Sequence, residues 1–248
     1  MKKTLIATTM LVGLSTGLAL APASTVFAQE TTASTEAVQQ NWLDALNTRI
    51  DLVQTKGALL RAQIALEIEQ SPERARQALD DAQVWVSKAK ERAATGAKTQ
   101  IQAMSDDITS ARDAIADMPS EARAKIDALT VTTEARLLEY KQGILDTDEA
   151  KLLQMRYAQA EAHAALLQAQ LAEKMDATGE LATAYLDKAN AFYQSTKEGA
   201  SEGWQAGLGE ISADIDSAKR LIAEKRDQAG TAITDLATRA ARFVKGAQ

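Results

Sequence analysis

The chain has 248 residues, 46% of them apolar and 25% charged, with only 4% aromatic side chains, three prolines, no cysteine, one histidine and a net charge of −6. The absence of cysteine excludes disulfides, thiolate metal sites and a lipid-modified cysteine, and a single histidine excludes a multi-histidine metal centre within one chain. Few breakers, few β-formers and a core restricted to Ala, Leu, Ile and Val predict an all-α protein.

Residues 1–28 read as a secretory leader. Lys2 and Lys3 form the positive end, an apolar run covers 5–20, and Val26-Phe27-Ala28 supplies a cleavage site before Gln29. This predicts an exported, periplasmic protein, with secretion further out as the alternative. Removing the leader takes away two lysines and no acids, so the balance moves from −6 to −8. An acidic exported chain is a poor match for nucleic acid.

The polar, Thr-rich residues 29–35 are expected to be a disordered lead-in. A helix is predicted from Glu36. Its seam is Leu43, Leu46, Ile50, Val53, Gly57, Leu60, Ile64 and Ile68, at alternating steps of three and four. Leu52, Leu59 and Leu66 widen that face beyond one neighbour. Ser71 and Pro72 suit the N-cap and first position of a second helix. Its seam runs from Leu79 to Met118 and slips near Gly96, which leaves two options: one helix of roughly 70 Å at 1.5 Å per residue, or a break at the glycine. Pro119 starts a third helix with Ala122, Ile126, Leu129, Thr133, Leu137, Tyr140 and Ile144 on its seam.

The pattern then restarts at 146–149. Shifted by 107 positions, residues 59–130 lie over 166–237 without a gap, and 24 of the 72 pairs are identical. Eight of these are Ala pairs; the rest include Leu59/Leu166, Gln63/Gln170, Leu79/Leu186, Gly96/Gly203, Ile108/Ile215, Ile115/Ile222 and Ile126/Ile233. Such self-similarity marks an internal duplication. The expected architecture is an elongated antiparallel helical bundle or coiled coil built from two tandem three-helix repeats of about 107 residues, at 36–145 and 146–248. The layout resembles a spectrin-type repeat in topology, a resemblance that carries no functional residues.

Chemistry is hard to seat on this chain. His163 has no partner histidine for a di-iron site, and it falls in the same repeat slot as Lys56, at a half-exposed boundary. No glycine cluster follows a strand as a phosphate loop requires. Most carboxylates fall on polar faces beside Lys and Arg. The reading is a non-enzyme with no catalytic, cofactor or metal residues, no cofactor and no small-molecule substrate.

Two features rise above a plain bundle. Gly199, Gly203 and Gly207 recur every four residues beside Trp204 and Leu208, a face on which another backbone could pack closely. This makes them a candidate surface for a protein partner or for self-association. The C-terminal stretch 219–248 holds seven basic and three acidic residues, and Arg239, Arg242, Phe243 and Lys245 form an amphipathic basic end able to meet an anionic surface. The leading expectation is a scaffold, adaptor or chaperone-like binder that works through its helix faces. The alternative is a lipid- or membrane-surface-binding protein, resembling apolipoproteins in composition.

Overall fold

The computed structural model describes the backbone of residues 24–139, 147–175, 179–197, 202–224 and 227–246, with side chains from Val38 to Leu138 and up to Phe243 at the C-terminal end. Residues 1–38 form one unit, whose described part is helical, and residues 39–248 form a second. Every regular element among the described residues is a helix: α1 (Ser24–Glu67), α2 (Pro72–Arg92), α3 (Thr95–Asp117), α4 (Pro119–Glu139), α5 (Asp148–Met175), α6 (Glu180–Ser195), α7 (Glu202–Ala223) and α8 (Ala229–Gly246).

Sequence signals set most of the boundaries. Ser71 accepts a hydrogen bond from the Arg74 amide, and Pro72 occupies the first turn of α2, where its missing N–H costs nothing. Thr147 caps α5 through the Ala150 amide at 3.2 Å. One expectation needs correcting, and one open choice is decided. The backbone of α1 already starts at Ser24, so 29–35 is helical; no glycine or proline interrupts the chain between Ser24 and Lys56. The second predicted helix is two helices. The break falls at Ala93 and Ala94, which are both extended, and Gly96 lies just inside the first turn of α3. The described residues up to Glu139 thus hold four helices where the sequence reading gives three.

Side-chain pairs give the directions. Asp80–Arg112 (2.7 Å), Gln83–Ser105 and Lys90–Gln102 link α2 to α3 with falling partner numbers, so the two form an antiparallel hairpin. Arg61–Asp81 and Asp51–Arg92 make α1 antiparallel to α2. Ser110–Lys125 joins α3 to α4. Lys56–Glu134, Gln63–Asp127 and the Arg123 bond to the Leu66 carbonyl close α4 back onto α1. Helices α1–α4 thus form an up-down-up-down bundle, the layout that short connections favour. In the second half α5 touches α6 and α8, α6 touches α7, and α7 touches α8, the same cycle.

Matched positions fill both cores. Ile108, Ile115 and Ile126 are buried in the first half, and Ile215, Ile222 and Ile233 in the second. Each fully buried Ile or Leu contributes roughly 1.5–3 kcal/mol. Helices α1 and α5 are the most enclosed. From Asp51 to Leu66 only Gln54, Arg61 and Gln63 reach solvent, and from Tyr157 to Gln170 only His163 does. Helices enclosed on all sides must have neighbours on all sides. The two halves supply them laterally, with Arg49 of α1 4.3 Å from the centre of the Tyr157 ring of α5 and Gln168 of α5 bonded to Glu134 of α4.

Candidate functional site

The residues singled out in the sequence meet at the α7–α8 contact. Trp204 of α7 and Phe243 of α8 stack at 4.0 Å between ring centres, 21° from parallel. Gly207 lies under the same ring, so that a methyl group on its backbone would overlap Phe243. Leu208 is buried in the core. The glycine face is therefore closed by the chain's own Phe243 at Gly207, where the sequence suggested an opening for a partner. Gly203 is exposed with open space around it, and Gly199 lies outside the described residues.

The basic end is similarly engaged. Arg239 pairs with Asp214 of α7 at 2.5 Å, and Phe243 spends its ring on Trp204. Arg242 is exposed, and the side chain of Lys245 lies outside the described residues. An interfacial helix needs its large apolar residues free to enter the headgroup region. The Phe243 ring of α8 is not presented in that way.

A different face stands out. Along α4, Ala122, Ile126, Leu129, Thr133 and Leu137 are buried. On the opposite side Ala124, Ala128, Val131, Ala135 and Leu138 are exposed, Val131 by 67% and Leu138 by 85%. Their steps of four, three, four and three are those of a coiled-coil seam. Positions 107 further on, in α8, are Thr231, Asp235, Thr238, Arg242 and Lys245. The inner seam is retained there as Ala229, Ile233, Leu236 and Ala240, all buried. So one packing position in the two halves carries an ordinary polar exterior on α8 and an apolar one on α4.

Beside this face lies a polar cluster. Lys56 is 2% exposed, and its Nζ meets Glu134 Oε1 at 2.7 Å. Gln168 Nε2 donates to the same oxygen at 2.9 Å. Burial works to raise the Glu134 carboxyl, but the Lys56 hydrogen bond and charge, with Gln168 and Lys188, outweigh it and hold it below its ordinary value. Asp51 goes the other way: burial raises its carboxyl despite the Arg92 pair. Tyr157 donates to Glu161 at 3.0 Å, and burial and that carboxylate raise its hydroxyl. His163 is half-buried, as its boundary position suggests, while Lys56 in the matching slot is buried.

Among the described residues no group of three acidic, His or Cys side chains is arranged to hold a metal ion, and no helix is long and apolar enough to cross a membrane. Comparison with protein-family models, curated proteins and solved structures finds no match to this chain. The class that can be stated is an all-helical protein whose described helices are compatible with a helical bundle.

Proposed function

We propose that the protein is a non-enzymatic, exported helical binding protein, a scaffold, adaptor or chaperone-like factor, whose working surface is the solvent face of α4. The observation that carries this reading is the exposed seam Ala124, Ala128, Val131, Ala135 and Leu138, set against the polar residues of α8 107 positions on. In this reading α1–α4 and α5–α8 descend from one duplicated unit. Support comes from the buried isoleucines Ile108, Ile115 and Ile126, whose counterparts 107 positions on, Ile215, Ile222 and Ile233, are buried as well. The copies have since divided their labour, with α8 keeping a solvated exterior.

The stripe is one helix wide and, over the fourteen residue steps from Ala124 to Leu138, about 21 Å long at 1.5 Å per residue. It offers far less than the roughly 800 Å² per partner of a standard interface. It therefore suits a helix-on-helix contact with an apolar seam of another protein, in the helix-in-groove manner, rather than a permanent dimer. Its small side chains allow that helix to approach closely.

A paired Val131→Ser and Leu138→Gln variant tests the reading. The variant should keep the helicity of the parent and lose the complex that the parent forms in cell-envelope extract, seen as a shift in its sedimentation coefficient. A complex of unchanged size and amount would refute α4 as the surface. Anionic vesicles that retain parent and variant equally would favour the lipid alternative.

A further inference from the structure

We infer that Glu134 is a latch that sets how the two halves of the molecule dock. One carboxylate of α4 holds the Lys56 ammonium of α1 at 2.7 Å and the Gln168 amide of α5 at 2.9 Å. Lys188 and Tyr185 of α6 also feel its charge. A single side chain thus ties α4 and α1 of one half to α5 of the other.

The fold does not require this group. Shifted by 107 positions, Lys56 and Glu134 become His163 and Ala241, so that the second half has no carboxylate in the matching place. Gln168 and Lys188 replace Arg61 and Asp81, which pair with each other at 2.9 Å inside the first half. The two halves have parted company in charge where they meet. Lys56 is buried while Glu134 keeps 42% of its side chain exposed. Taking the Lys56 ammonium out of water makes such a pair a poor source of stability compared with apolar side chains of similar volume. Its best-attested use is to fix register between helices. Another tie between the halves is Arg49 of α1 over the Tyr157 ring of α5 at 4.3 Å. Gln168 meets Glu134 from the other half at 2.9 Å and adds a directional hydrogen bond that fixes the docking at this position.

The chain has no cysteine, so two can be introduced cleanly. Nitroxide labels at Ala135→Cys on α4 and Ala184→Cys on α6, both exposed, report the distance between the halves by pulsed electron resonance. The labelled parent should give one narrow distribution. Glu134→Gln, and the paired Lys56→Met and Glu134→Leu replacement, should broaden it or split it in two while helix content stays unchanged. The paired replacement leaves no buried charge at this pair, which separates loosened docking from unfolding. A distribution as narrow as the parent's in the paired variant would overturn the latch. Loss of helicity in the paired variant would also overturn it, by making the pair a structural prop.

Discussion

Helices α4 and α8 close their bundles in the same way and bury the same inner seam, yet they meet solvent differently. Ile126 and Leu129 in one correspond to Ile233 and Leu236 in the other, all at 3% exposure or less. Outside, Val131 and Ala135 stand where α8 has the exposed Thr238 and Arg242. Because inner packing is shared, fold stability does not account for the outer difference. A solvated helix is ordinarily polar on its outer face, and a bare apolar seam is a liability unless something covers it. A second contrast runs the other way. The second half places Trp204, Gly207 and Phe243 together, where the first has Ala97, Gln100 and Arg136. One half has closed a groove with its own aromatic ring; the other has left an apolar surface open.

These contrasts can be broken by substitution. The largest effect is expected at the latch: Glu134→Leu alone strands the Lys56 ammonium in the interior and should cost about 3 kcal/mol in urea unfolding. Pairing it with Lys56→Met should recover most of that loss. Next, Gly207→Val pushes against Phe243 and should cost about 1–3 kcal/mol, with a change in Trp204 fluorescence. Gln100→Val, at the matching exposed position of α3, should stay within about 0.5 kcal/mol.

The acid limb of stability should separate two carboxylates. Glu134 is held below its ordinary value, so its contribution is complete above the ordinary carboxylate range and is lost as pH falls through its lower folded value. Asp51 is raised by burial, so the folded state holds its proton more tightly and stability from this group falls as pH rises from 3.8 towards its folded value. Thermal melts between pH 3 and 7 should therefore show a shallower acid loss for Glu134→Gln and a steeper one for Asp51→Asn. The smallest effect on stability belongs to Val131→Ser with Leu138→Gln, about 0.5 kcal/mol or less in either direction, because both side chains already face water.

Much of the fold could be read from the chain because its signals were redundant. Alternating steps of three and four, Ser71-Pro72, Pro119 and the 107-residue self-match all pointed to antiparallel helices. The break near Gly96 stays one of two options in the sequence, and its place at Ala93-Ala94 is not marked locally, since alanine is the strongest helix former. Only the slipped seam near Gly96 hinted at it. The glycine face of α7 was visible as a spacing, but spacing does not say what fills the space, and Phe243 lies 36 positions after Gly207. The outer seam of α4 was hidden for a different reason. A helix apolar on two opposite sides has little net amphipathicity, so a search for one dominant face finds the inner seam and stops. Setting 124–138 beside 231–245 would have exposed it. The enclosure of Lys56 is not marked in the sequence because its partner Glu134 lies 78 positions away.

The most direct test of α4 as a binding face is site-specific photo-cross-linking of the full chain in cells of its source. A photoreactive residue at Val131 should give one discrete adduct, and the same residue at Thr238 should give none. The Val131 adduct should vanish when Leu138→Gln is added. No adduct at either position, or equal adducts at both, would contradict the account.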